Sequence, residues 1–151
     1  MTTRNNSKIS VVSRLALGAG FLVFGLNGFL HFAPTPPVPE AAGGFLGALA
    51  ATGYMFPLIK GTEVVAGALL LANRYVPLAL ALLAPVLVNI VAFHAFLAPA
   101  GLALPVVLLA AELALAWAYR GTYASMLTAR ASSTESEQPR IGSDGRLATA
   151  H

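Results

Sequence analysis

Seven polar side chains that could take part in chemistry interrupt the long apolar stretches of this sequence. Ionisable groups at the depth of a membrane mark binding or proton-transfer sites, because burying them in hydrocarbon is unfavourable. Carboxyl groups in unequal environments suit general acid–base catalysis, so Glu63 and Glu112 are the candidate catalytic residues. The candidate ligand-binding residues are Asn27, His31, Lys60, Asn89 and His94.

Helical spacing indicates which of these side chains can meet. Asn27 and His31 are four residues apart, and Lys60 and Glu63 are three apart, so each pair shares one face of a helix. Each pair therefore points at one partner surface. We expect the second pair to be met by Asn27, His31 or Glu112, in a polar cluster that reaches from the midplane to the outer half of the membrane.

The two histidines allow a metal or haem interpretation as an alternative. His31 and His94 are predicted in the outermost turns of two helices, where they could clamp a haem or, with Glu63 and Glu112, hold a divalent metal. Neither histidine has a second one on its own helix at ligand spacing, and the chain has no cysteine. Asn89 and His94 are five residues apart and are expected to face different neighbours. We predict no metal site.

Lys60 and Glu63 make the insertion of their helix into a membrane less favourable. On the insertion scale each costs about 3 kcal/mol near a helix centre, whereas each large apolar residue contributes about 0.3–0.6 kcal/mol of the opposite sign. The nine large apolar residues of this stretch therefore roughly balance the pair. The helix is predicted to insert only beside its partners. In the structural alternative, Lys60, Glu63 and Glu112 form a buried ionic network that fixes helix register.

Four apolar stretches must position these residues. A bilayer-spanning helix needs about 20 mostly apolar residues, and the chain, at 57% hydrophobic and 10% charged, fits poorly with a water-soluble domain. The last three stretches are joined by connections so short that they must be antiparallel neighbours. We therefore predict an all-α, antiparallel four-helix membrane bundle over residues 15–123, after a cytoplasmic segment 1–14 and before a disordered cytoplasmic tail 124–151. The stretches are 15–32, 55–72, 76–98 and 102–119.

The connection between the first two stretches differs from the others. Its four prolines make a stiff extended segment, and residues 43–50 could form a short helix on the outer face, acting as a lid. An ordered surface loop without function is the alternative.

Basic residues predict the orientation of the bundle. They precede the first stretch, lie between the second and third, and follow the fourth. This distribution predicts that both termini lie in the cytoplasm. We expect the membrane to be the inner membrane of a bacterium. A cleaved signal peptide is the competing interpretation of the first stretch. The basic residues form no stripe, so we predict no nucleic-acid partner. They are Arg4, Lys8, Arg14, Arg74, Arg120 and Arg130.

Three segments resemble the DoxX-like family of small four-helix membrane proteins. They are FGLNGF at 24–29, EVVAGALLL at 63–71, and the third stretch with Asn89 and His94, within a resemblance that covers about residues 15–120. The resemblance implies a four-helix membrane fold and an association with quinone-linked redox complexes, whereas distant eukaryotic relatives look like assembly or cargo factors. Some related proteins work through cysteine pairs, which this chain lacks.

Three functions follow as hypotheses, all with the lipid bilayer as a partner. In the first, the protein binds a small apolar ligand with a polar head, quinone-like or lipid-like, in the outer half of the bundle. It would then be an accessory subunit or an enzyme of a membrane redox pathway, and quinone is the candidate cofactor. The second is an assembly or scaffold protein whose small-residue faces meet a redox-complex subunit or a second copy. The third is an acid–base enzyme on a membrane-embedded substrate that uses Glu63 or Glu112. The faces are Gly18, Gly25 and Gly28 on the first helix and Ala111, Ala114 and Ala118 on the fourth.

Overall fold

The computed structural model describes residues 2–34 and 37–124, and their side chains from Lys8 onward. All regular elements in these residues are helical and none is a strand, which confirms the all-α class. The predicted disordered tail lies outside the described residues from position 125 onward. The helices are α1 (Thr2–Leu30), α2 (Glu40–Ala51), α3 (Met55–Leu71), α4 (Val76–Leu97), α5 (Ala103–Ala118) and α6 (Arg120–Ala124), with a 3-10 turn at Pro99–Gly101.

Two of these helices are long and apolar enough to cross a membrane. They are the part of α1 from Lys8 to Leu30 and the whole of α4, Val76–Leu97. Helices α2 and α3 meet the same criterion only together, and they are bent by 92° at the break between them. Helix α5 is apolar but, at 16 residues, is shorter than the two candidate spans. The described residues thus contain two candidate spans, or three with the bent pair, which is consistent with a membrane protein.

Helix α1 begins well before the apolar stretch predicted to start at residue 15. It starts at Thr2 and runs for 29 residues. No glycine or proline interrupts residues 2–14, so nothing in that segment breaks the helix. The N-terminal segment is therefore a helical extension of the first candidate span.

Glycines set the distance between α1 and α3. A Cβ atom on Gly67 would lie 2.6 Å from the backbone nitrogen of Leu22 and 2.9 Å from the carbonyl oxygen of Gly18. Two helices approach this closely only where no side chain separates their backbones. Gly25 likewise faces α3, where a Cβ would lie 2.8 Å from Val64 Cγ2. The glycine face of α1 was predicted to contact another protein or a second copy. In the structure, α3 of the same chain packs against it.

The turn between α3 and α4 is closed by backbone hydrogen bonds and by an arginine from α1. Asn73 adopts a left-handed conformation with φ of 55°, and the N–H groups of Asn73 and Arg74 donate to the carbonyls of Leu70 (3.1 Å) and Leu69 (3.0 Å). This is a Schellman motif. Arg14 Nη1 also donates to the Leu70 carbonyl, so the end of α3 is tied to the beginning of the apolar part of α1.

Four helices supply the hydrophobic core, and α2 lies at one end of it. The predicted short helix is confirmed as α2, which contacts α3 and α4 and places the ring of Phe45 5.8 Å from that of Phe93. The core residues are Leu17, Phe21, Ala66, Leu70, Val76, Ala79, Leu80, Leu83, Leu87 and Leu115.

Candidate functional site

Lys60 and Glu63 form an ion pair on consecutive turns of α3. Lys60 Nζ donates to both carboxylate oxygens, to Oε1 at 3.1 Å and to Oε2 at 2.9 Å. The Glu63 side chain is 2% exposed, whereas that of Lys60 is 20% exposed. The buried carboxylate is thus neutralised by the ammonium group of a partly exposed lysine.

The ion pair lies between the glycine face of α1 and the ring of Phe56. A Cβ on Gly28 of α1 would lie 2.6 Å from Cγ and Cδ of Lys60, and a Cβ on Gly25 would lie 3.0 Å from that of Glu63. On the other side, Lys60 Nζ lies 5.7 Å from the centre of the Phe56 ring, at cation–π distance. The lysine stem therefore lies along the glycine face of α1, and its charge lies over an aromatic ring.

Glu112 is buried in α5 without a hydrogen-bonding partner among the described residues. The residue is 4% exposed, and neither carboxyl oxygen makes a hydrogen bond to any described residue. Leu115, one turn further along the same face of α5, belongs to the hydrophobic core. An unpaired carboxyl in such surroundings is unfavourable for folding.

Glu112 lies at a different depth from Lys60 and Glu63. One groove brings Ser10 of α1 together with Ala118 of α5, and Gly25 of α1 lies against Glu63. At 1.5 Å per residue, Glu112 lies about 3–12 Å from the α5 residues of that groove, which run from Ala114 to Arg120, and Glu63 lies about 22 Å from its α1 side. The polar cluster predicted from the sequence is therefore two separate features, about 10 Å or more apart along the helix axes.

Tyr123 of α6 lies near Glu112. Its hydroxyl donates to the carbonyl of Pro77 at 2.8 Å, which ties α6 to the beginning of α4. Burial and, to a smaller extent, the charge of Glu112 raise the pKa of Tyr123. Sequence reasoning missed this contact, because it joins residues far apart in the chain and follows no recognisable spacing.

Asn27 and His31 lie at the end of α1, and the side chain of Asn27 bonds to the backbone there rather than to the ion pair. The Asn27 side chain accepts a hydrogen bond from the Ala33 N–H at 2.7 Å and donates to the Ala33 carbonyl at 3.3 Å. His31 follows the last residue of α1 with φ of 49° and is exposed. The pair predicted to share one face is separated by the end of the helix.

Asn89 and His94 bond to their own helix. Asn89 Nδ2 donates to the Pro85 carbonyl at 2.9 Å, and His94 Nδ1 lies 2.8 Å from the Ile90 carbonyl oxygen. The His94 ring packs edge-on against Phe93, with 5.1 Å between ring centres. As expected from their spacing, these two residues do not form one site.

The structure thus brings together two of the seven predicted site residues, Lys60 and Glu63. Within residues 2–34 and 37–124, no three histidine, aspartate or glutamate side chains are grouped so that they could hold a metal ion. Gly28 and Phe56 also belong to the site, although sequence reasoning did not assign them to it. The three-residue spacing of Gly25 and Gly28 was the available signal, since it places two small residues on one face of α1.

Replacing Glu112 with leucine is expected to stabilise the fold by about 1–3 kcal/mol, because the change removes an unpaired polar group from an apolar core. Thermal unfolding in a mild detergent measures this difference. Glu40→Leu is the matched control, since Glu40 is exposed in the first turn of α2 and its replacement should change stability by about 0.5 kcal/mol at most. A clear loss of stability in Glu112→Leu would contradict the absence of a partner.

In the part of the chain that the structure describes, these features define an all-helical protein with at least two helices suited to a membrane, a buried ion pair and a buried carboxyl that makes no hydrogen bond. No protein-family model, curated protein or solved structure matches the chain. The DoxX-like resemblance therefore stays a prediction.

Proposed function

We propose that this chain is an integral membrane protein of four antiparallel spans that binds a quinone-like or lipid-like molecule through Lys60. The observation that carries the proposal is the exposure difference within the ion pair. Glu63 is buried and holds Lys60 in place, while one-fifth of the Lys60 side chain stays exposed, at 20% against 2% for Glu63. The ligand would place its polar head at Lys60 in the outer half of the bundle.

The membrane placement is supported by the apolar outer surface and by the distribution of charge. Large apolar side chains project outward along α3, α4 and α5, a pattern that a bilayer would cover. Helices α3 and α5 lie beside the two long spans and complete four crossings. The basic ends of the spans orient both termini to the cytoplasm, in a bacterial inner membrane. Examples of the outward side chains are Leu58, Val65, Leu78, Val88, Phe96, Val107 and Leu113.

The chemistry of Lys60 favours a hydrogen-bond acceptor as the head group. An ammonium group has three N–H donors, and two hydrogen bonds of Lys60 go to Glu63. A donor therefore remains for a quinone carbonyl or for an ester or phosphate oxygen. The Phe56 ring beside it offers a flat apolar surface to the ring or first chain segment of the ligand. The DoxX-like resemblance is what directs this proposal to quinones and to a redox complex.

The test compares ligand retention in three forms of the full chain by native mass spectrometry in mild detergent. K60M/E63L replaces the ion pair with apolar residues, and Lys8→Met, which changes the only other lysine, is the matched control. A quinone or lipid adduct is expected in the wild type and in the control, and it should be at least about tenfold weaker in K60M/E63L, since a charge-assisted hydrogen bond is lost. An adduct that persists in K60M/E63L, or a bare wild type that takes up neither a short-chain benzoquinone nor phosphatidylglycerol, overturns the proposal.

Glu112 favours an acid–base enzyme as the second candidate. Its unbonded carboxyl oxygens could accept or supply a proton for a substrate that enters the membrane-embedded part of the chain. Because Glu112→Leu is expected to fold, loss of turnover of a candidate substrate in that variant would support the enzyme. Unchanged turnover would remove Glu112 from the mechanism.

A further inference from the structure

A groove runs between α1 and α5 at the end of the helices opposite to α2. It lies about 22 Å along the helix axes from Glu63 and is separate from the site of the ion pair. Its walls are mainly apolar, and its rim carries one cation and one hydroxyl. The lining residues are Ile9, Ser10, Ala114, Trp117, Ala118 and Arg120.

Arg120 lies at the rim of the groove and contacts Trp117 in two ways. Its guanidinium carbon lies 5.1 Å from the centre of the Trp117 ring, and Nη1 donates to the Trp117 carbonyl at 3.0 Å. A guanidinium group has five N–H donors in a planar fork, so several remain after this bond. Such a fork matches the oxygens of a phosphate group.

Among the residues that the structure describes, the exposed charges at the groove end of the helices are all positive. Lys8, Arg14 and Arg74 lie at the same end of the helices as Arg120. Among the described carboxyl groups, Glu40 begins α2 at the other end, and the remaining two are buried. This end is therefore complementary to anionic lipid head groups, which basic residues at a membrane surface attract.

We propose that the groove binds an anionic glycerophospholipid of the cytoplasmic leaflet. Its phosphate lies on Arg120, and an acyl chain follows the apolar wall formed by Ile9, Ala114 and Trp117. The aromatic ring orients the arginine and also contacts the chain, so one short segment of α5 recognises both parts of the lipid. The inference rests on the proposed membrane placement, but it is independent of the ligand at Lys60.

The protein itself carries the reporter for this site, because Trp117 is its single tryptophan. The full chain is reconstituted at low density in phosphatidylcholine nanodiscs that contain a small fraction of brominated phosphatidylglycerol or, in parallel, of brominated phosphatidylcholine. Bromine quenches tryptophan fluorescence on contact. We expect the anionic lipid to associate with Trp117 about fivefold more strongly than the zwitterionic one, and Arg120→Gln to abolish this preference. Arg74→Gln, a charge-matched control outside the groove, should retain it.

The other outcomes are distinguishable. Equal quenching by the two lipids in the wild type overturns the head-group preference. A preference that survives Arg120→Gln, or that Arg74→Gln removes equally, overturns the groove as its source. Quenching that falls as protein density rises shows that a second copy covers the groove in place of a lipid. If neither brominated lipid quenches Trp117, the end of α5 does not contact lipid, and the membrane placement itself fails.

Discussion

Gly67→Ala is expected to destabilise the protein by about 1–3 kcal/mol, the range for overpacking a close contact. The added Cβ would lie 2.6 Å from the backbone nitrogen of Leu22 and 2.9 Å from the carbonyl oxygen of Gly18. Backbone atoms cannot rotate away as a side chain can, so α1 and α3 would have to separate. Equilibrium unfolding of the full chain by a denaturing detergent, in mixed micelles, measures the change.

The matched control lies on the same helix. No atom of the described residues lies within 4 Å of the position that a Cβ on Gly61 would take, so Gly61→Ala is expected to be neutral or to stabilise by up to about 1 kcal/mol through helix propensity. The two substitutions are chemically identical and differ only in what the new methyl group meets. Equal stability of the two variants would contradict the close approach of α1 and α3.

Breaking the ion pair on one side is expected to destabilise the protein more than Gly67→Ala does. Lys60→Met leaves the Glu63 carboxylate buried without its cation, and Glu63→Leu leaves the ammonium group without its anion. Removing one partner of a buried pair costs about 3–5 kcal/mol. Because Lys60 is one-fifth exposed and can turn to water, we expect the smaller loss in Glu63→Leu and the larger in Lys60→Met.

The double variant K60M/E63L should recover most of the stability, since two apolar side chains of similar length replace the pair. A double-mutant cycle measured by the same unfolding experiment isolates the coupling between the two positions. Losses that simply add in the double variant would show that the two side chains do not interact in the folded protein. The expected recovery is also what makes K60M/E63L a suitable variant for the ligand experiment.

The helices could be predicted closely from the sequence where local signals define them. The predicted stretches 55–72, 76–98 and 102–119 end within a residue of α3, α4 and α5. Apolar runs bounded by a short polar turn or by proline and glycine carry this information locally. The Lys60–Glu63 pair was predictable for the same reason, because a three-residue spacing on a helix brings two side chains together whatever surrounds them.

Contacts between side chains of different helices could not be predicted from the sequence in this way. Glu112 was expected near Lys60, but the register of α5 against α1 places it at another depth. That register depends on which faces of the two helices pack together, and no local spacing in the sequence specifies it. Asn27 and His94 instead bond to nearby backbone groups, an option open to any polar side chain near a helix end.

The unequal lengths of the helices have a consequence for the bilayer around the proposed four-span protein. Helices α3 and α5, with 17 and 16 residues, are about 26 and 24 Å long, whereas the 22 residues of α4 extend about 33 Å. The hydrocarbon core of a typical bilayer is about 30 Å thick. In the proposed four-span placement, lipids beside the short helices would compress while those beside α4 would not, and this mismatch would give the protein a preference for thin membranes. The compression would also bring the lipid head groups of the proposed outer leaflet closer to Lys60, shortening the distance that a polar head must travel into hydrocarbon.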